Sequence, residues 1–167
     1  YLNIDKLMIF PLFGTMVLGP YQLGFQIFSI AMLLPNIVIQ YTLPHDAIGA
    51  KNIKLKKIAI IVCIIITVFV ILGAPIIIPE IFPEFKESVK VVQIMSLALI
   101  PSSLSVLYSS ELLGSERSKI VLFGAIIGIS VIVIGIFTLG KHYGLVGLTA
   151  SFVIAKIAEF LFLHIKK

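Results

Sequence analysis

Charged side chains are scarce in this chain. They make up 13% of its 167 residues, where soluble domains carry about 25%. Hydrophobic residues reach 59%, against about 45–50% in soluble domains. A soluble fold of this size has too little interior to hide that much apolar surface, so the composition argues for a membrane protein. Cysteine is nearly absent as well. The single Cys63 lies in the middle of an apolar run, which excludes an internal disulfide and leaves no Cys/His cluster for a metal. Enzyme motifs are missing: there is no nucleotide-binding glycine loop, no GxSxG, no HExxH and no clustered acids. His45, His142 and His164 fall near the ends of apolar runs rather than in a catalytic set. No linker, low-complexity tract or short-period repeat divides the chain. Its net charge of +5 comes without aromatic interleaving or a binding module, which argues against nucleic acid as a partner.

What the chain has instead is a series of apolar runs. Lys57–Pro79 holds no charge between its ends, and about 20 such residues cross a bilayer core. Windows of that length predict six spans: Tyr1–Gly19, Tyr21–Leu43, Ile58–Ile78, Val91–Leu113, Ile120–Leu139 and Gly144–Ile165. The runs are continuous rather than alternating, which favours helices over a barrel. They recur to the end of the chain, unlike the one short apolar stretch of a signal peptide. The chain opens on Tyr1 inside a run, which reads as a piece of a longer polypeptide. The expected fold is therefore an all-α integral membrane bundle of six helices, residues 1–167 forming one domain.

Loop charge gives a direction. Lys51, Lys54, Lys56 and Lys57 precede the third span, Arg117 and Lys119 follow the fourth, and Lys166 and Lys167 end the chain. The alternate loops hold only Lys86, Lys90 and Lys141, with Glu80, Glu84 and Glu87 beside the first two. That is eight basic residues against three, and the positive-inside bias puts both ends in the cytoplasm. The segment Pro79–Phe85, mixing prolines, acids and aromatics, is expected at the outer surface as a short turn or helix.

Polar residues inside spans each need a reason to be there. In the second span Gln22, Gln26, Ser29, Asn36 and Gln40 fall on one helical stripe, and Pro35 should kink the helix. A stripe of amides can line a watery path for a sugar or another uncharged polar ligand; it can also bond across helix interfaces. The first reading is preferred. In the fourth span Gln93, Ser96, Ser103, Ser110 and Glu111 share a broad face, and Pro101 interrupts the helix. Ser102, Ser105 and Ser109 lie on another side, where small residues allow close packing. Serine hydroxyls also bond back to their own helix, so cavity and packing readings stay open for this span.

The sixth span carries Lys156 and Glu159, neighbours three residues apart. Lys156 is about 14 Å from the end of its span at 1.5 Å per residue, too far for easy snorkelling. The pair either neutralises itself against protein or meets an anionic ligand or an ion in a cavity. Gly147, Ser151 and Ala155 lead to Glu159 as a small-residue stripe. Asp5 and Lys6 form a second pair in the first span, ordinary if the helix begins at Tyr1 and deeper if it begins upstream. Spans three and five read as scaffold, with Gly124 and Gly128 a GxxxG packing pair.

Four stretches resemble the C-terminal half of polysaccharide and oligosaccharide flippases of the multidrug/oligosaccharidyl-lipid/polysaccharide exporter superfamily. Asp5 followed by Leu18-Gly19-Pro20-Tyr21-Gln22-Leu23-Gly24 is similar to that family's seventh helix and its turn into the eighth. Ile81-Phe82-Pro83-Glu84-Phe85 with Val89 resembles the entry to the tenth. Leu112-Leu113-Gly114-Ser115-Glu116-Arg117-Ser118-Lys119 resembles a cytoplasmic turn, and Tyr143-Gly144-Leu145-Val146-Gly147-Leu148-Thr149-Ala150 the opening of the last helix. Pro20, Pro83 and Gly24 depart from the pattern. The resemblance implies a twelve-helix protein in a prokaryotic plasma membrane, with a missing N-terminal six-helix lobe as partner. Two such lobes move a lipid-linked glycan between leaflets by alternating access. It implies no cofactor, and leaves open proton or sodium coupling. The expected substrate path is Gln22, Gln26, Ser29, Asn36, Gln40, Gln93, Ser96, Ser103, Lys156, Glu159 and Asp5. A cation-coupled drug exporter predicts a more aromatic or acidic cavity, and an assembly subunit predicts polar stripes that bind partner helices.

Overall fold

The computed structural model describes residues 4–47 and 53–166, which are all-helical. Tyr1, Lys51 and Lys167, used above for the start of the first span and for loop charge, lie outside the described residues. Helix α1 is Ile4–Phe13, α2 Thr15–Ala31, α3 Leu33–Ala47 and α4 Ile53–Ile81. A 3-10 turn at Pro83–Phe85 leads to α5, Ser88–Ser96, and α6, Leu99–Gly114. Then come α7, Ser118–Gly135, a π turn at Ile136–Gly140, and α8, Lys141–Lys166.

Four stretches among the described residues are long and apolar enough to cross a membrane: Thr15–Val38, Lys54–Ile81, Ser88–Gly114 and Ser118–Lys166. Their outward faces fit hydrocarbon. Along α4, Ile61, Ile65, Phe69, Leu72 and Ile76 are all exposed, a continuous apolar rail that soluble monomers rarely carry.

The last stretch, 49 residues long, would measure about 74 Å as one straight helix, more than twice the bilayer core of about 30 Å. It folds back instead. Gly144 adopts φ 56°, ψ −132°, a conformation open to glycine and strained for other residues. On either side Gly135 lies against Ser151, Gly128 against Glu159 and Gly124 against Leu163, the pairing of an antiparallel hairpin. The expected GxxxG contact is thus made within the chain, between α7 and α8. At the hairpin's tip, a Cβ on Gly147 would collide with the Leu139 carbonyl oxygen.

The start of the chain differs from expectation. The turn was placed at Gly19-Pro20, but both residues lie inside α2, and the reversal occurs at Gly14, whose φ of 77° again needs glycine. Proline at position 20, the sixth residue of α2, lies inside the helix and leaves the Met16 carbonyl without its i→i−4 donor. As described, α1 spans ten residues, or about 15 Å.

Both mid-span prolines interrupt their helices as expected. Pro35 has no N–H to reach the carbonyl four residues back, and the α2–α3 break falls at Met32. Pro101 does the same at Leu97–Ala98, where the chain tightens to i→i+3 bonds from Leu97 N to Ile94 O and from Ala98 N to Met95 O. The broken span α5–α6 is the centre of the bundle: 61% of its apolar window is buried, against at most 28% in the others. It packs on α2, α3, α4 and α8. The core gathers Tyr21, Phe28, Met95, Leu99, Leu148 and Phe152 around it.

Candidate functional site

Each of the irregular points just described helps to shape one cavity. The reversal at Gly14 lays α1 against α2, so that the Tyr21 hydroxyl donates to Asp5 Oδ2 at 2.8 Å in a buried setting. A straight helix would hold those residues about 24 Å apart. One residue on, the Lys6 ammonium sits 3.8 Å from the centre of the Phe25 ring, a cation–π distance. The breaks at Met32 and at Leu97–Ala98 lie close together, since Ser103 Oγ approaches Met32 Sδ at 3.9 Å. From the other side the α7–α8 hairpin brings Lys156 and Glu159, bonded at 2.9 Å. Gly128 makes room for them: a Cβ there would lie 3.3 Å from Glu159 Oε2.

The space, open on one side, measures about 260 Å³. Asp5, Ser29, Asn36, Lys156 and Glu159 line it, five of the eleven residues expected on a substrate path. Phe25, Phe28 and Phe152 form an aromatic wall, Phe152 meeting the other two rings nearly edge-on at centroid distances of 5.9 and 5.0 Å. Ser102 and Ser105 complete the lining. Their hydroxyls are buried and have no hydrogen-bond partner among the described residues.

The remaining expected residues lie elsewhere. Gln93 Nε2 donates to the Ile71 carbonyl at 2.9 Å, tying α5 to α4. Ser96 bonds back to the Gln93 carbonyl, and Ser103 to the Leu99 carbonyl and toward Cys63 Sγ. For this span the cavity is thus on the Ser102–Ser105 side, expected to pack, and the Gln93–Ser96–Ser103 side makes the packing contacts. In the second span, the break at Met32 splits the stripe: Ser29 and Asn36 reach the cavity, whereas Gln22 is half-buried and Gln26 and Gln40 are exposed away from it.

Lys156 and Glu159 pair with one another and line the cavity at once, combining the two readings that the sequence left open. Asp5 is buried, 7% exposed. The Phe wall was not foreseen, because Phe152 is more than a hundred residues from Phe25 and no periodicity links them. Ser102 and Ser105 had a signal, their spacing of three just after Pro101, which also suits close packing.

One end of the bundle is clasped by polar contacts. Lys56 pairs with Glu111 at 3.1 Å, Arg117 Nη2 donates to the Lys166 carbonyl at 3.0 Å, and His164 stacks on Tyr108 and Phe160. The start of α4, the α6–α7 turn and the end of α8 therefore share a side, with the basic residues Lys54, Lys56, Lys57, Arg117, Lys119 and Lys166. The cavity lies about 10–15 Å inward, counting residues from Lys166 to Glu159 and from Ser118 to Gly128. Among the described residues no cluster of His, Cys, Asp or Glu could hold a metal ion. Comparison with protein-family models, curated proteins and solved structures finds no match to this chain.

Proposed function

We propose that this chain is one six-helix lobe of a flippase that carries a lipid-linked oligosaccharide or polysaccharide repeat unit across a prokaryotic plasma membrane by alternating access. The observation that carries the reading is a polar-edged cavity inside an otherwise apolar bundle, with buried charge and unpartnered hydroxyls on its wall. Such groups are costly in hydrocarbon and mark paths for polar cargo. A second support is the exposure of Gln26, Asn36 and Gln40 on α2–α3. Amides exposed on a membrane-spanning segment are best placed toward a water-filled path or a second lobe, here an N-terminal one. The clasped basic end faces the cytoplasm by the positive-inside bias. In this arrangement the sugar head passes through the polar interior while the lipid tail stays in the bilayer, and rocking of the two lobes alternates access.

The cavity's aromatic wall and its two carboxylates, Asp5 and Glu159, favour a second reading, a cation-coupled exporter of hydrophobic molecules. Deleting the gene separates the two. Undecaprenyl-linked oligosaccharide accumulating on the cytoplasmic leaflet, reversed by wild type but not by an Asn36→Ala/Lys156→Met/Glu159→Gln variant, is the result expected of the flippase. Normal glycolipid with new drug sensitivity would establish the exporter. Neither phenotype would point to an assembly subunit and retire both.

A further inference from the structure

Ser102 and Ser105 differ from most of the described hydroxyls. Eight of those, Ser29, Thr67, Ser103, Ser115, Ser130, Thr138, Thr149 and Ser151, bond back to the carbonyl four residues earlier. That is the usual refuge of a hydroxyl on a membrane helix. Ser102 and Ser105 are 4% and 3% exposed, and their hydroxyls have no hydrogen-bond partner among the described residues, although both line the cavity. Three residues apart on α6, they share a face, their Cβ atoms about 5–6 Å apart. Two adjacent hydroxyls held unpaired beside a cavity are a recognition surface waiting for its partner.

The rest of the wall says what that partner is. The charges near the wall balance in sign: Lys156 bonds Glu159 at 2.9 Å, and Asp5, which accepts from the Tyr21 hydroxyl, is offset by Lys6 over the Phe25 ring. An ionic ligand therefore meets no uncompensated opposite charge. What is left to bond is neutral: the two serine hydroxyls and the Asn36 amide. Opposite stand the rings of Phe25, Phe28 and Phe152, whose electron-rich faces suit weakly positive C–H groups. A volume of about 260 Å³ falls below the range of about 300–1,000 Å³ that holds drug-sized molecules. It has room for one sugar ring.

We propose that this cavity is a subsite for a single neutral pyranose ring, with Ser102 and Ser105 bonding its hydroxyls and the phenylalanine wall covering its apolar face. Within the flippase reading, on which the source of the sugar rests, the subsite reads one residue of the glycan and is a determinant of which glycan is accepted. The ring enters past Asn36, which is exposed at the mouth.

The test is equilibrium binding of a panel of methyl pyranosides to the full-length protein in nanodiscs, followed by saturation-transfer NMR and titration calorimetry. At least one methyl pyranoside is expected to bind saturably, at least fivefold more weakly to Ser102→Ala/Ser105→Ala. Ser88→Ala, which removes the third unpartnered buried hydroxyl outside the cavity lining, is expected to bind as wild type does. Thermal melting of the double variant at or above wild type shows that the fold is kept. No saturable pyranoside, equal binding by the double variant, or the same site being filled by tetraphenylphosphonium instead would each overturn the proposal. Glycolipid accumulation in the deletion strain without pyranoside binding sinks the subsite and leaves the transport reading. Pyranoside binding without accumulation does the reverse.

Discussion

Ser102 and Ser105 are held at a cost in stability. A buried hydroxyl without a partner forfeits its hydration, a penalty of about 1–3 kcal/mol. Replacing either by alanine is therefore expected to raise stability by about 1 kcal/mol, read as a higher melting temperature of the protein in nanodiscs. A fall of that size would mean that the hydroxyl has a partner after all. Lys156 and Glu159 behave in the opposite way. Lys156→Met takes the ammonium partner from a carboxylate that is 5% exposed, and losing one partner of a buried pair costs about 3–5 kcal/mol. The expected order of melting is Lys156→Met lowest, Glu159→Gln next because Lys156 keeps some exposure, and the double variant close to wild type. A double variant as unstable as the worse single would show that the two charges do not act as a pair.

Helices of this composition have little side-chain variety with which to specify their partners, so glycines and prolines do much of the positioning. Gly135 sits where a Cβ would lie 2.5 Å from the Ser151 Cβ, too close for α7 and α8 to stay in place. Overpacking of that kind costs about 1–3 kcal/mol. Gly135→Ala should melt lower than Gly124→Ala, whose new methyl would meet only the end of the flexible Leu163 side chain at 3.0 Å. Equal melting of the two would mean that the hairpin interface can spread at no cost. The prolines act by subtraction. Pro35 and Pro101 each remove one backbone bond, and their neighbours Asn36 and Ser102 line the cavity. Packed straight helices leave few voids, so these breaks are the means by which the bundle keeps an opening inside.

At the scale of the whole molecule the telling feature is the face that the bundle does not cover. Gln26, Asn36 and Gln40 are exposed on α2–α3, while the outer face of α4 is lined with isoleucine, leucine and phenylalanine. The first face is expected to meet water or a second lobe, the second to meet lipid. Cysteines introduced at Gln26 and Asn36, in a background where Cys63 is replaced by serine, should react with a membrane-impermeant maleimide in at least one transport state. A cysteine at Ile65 should stay protected. If Gln26 and Asn36 were shielded in every state while the protein remained active, the polar face would be glue rather than path. The clasp of Lys56 on Glu111 and of Arg117 on the end of α8 ties the basic end of the bundle together.

Membrane character, helical class, the two proline breaks and the nearness of Lys156 to Glu159 all follow from the sequence alone. Each depends on a local property: the hydropathy of about 20 consecutive residues, a missing N–H, or the 3.6-residue repeat of a single helix. Sequence also showed which faces are polar. It did not show which of them meet. The turn moved from Gly19-Pro20 to Gly14 because either glycine can end a helix and only packing selects one. The choice of Ser102 and Ser105 over Gln93, Ser96 and Ser103, and the joining of Phe25 and Phe28 to Phe152, were decided by tertiary structure. Periodicity gives each helix its faces, but what a face touches depends on rotation and register against neighbours far away in the chain, and no single helix carries that information.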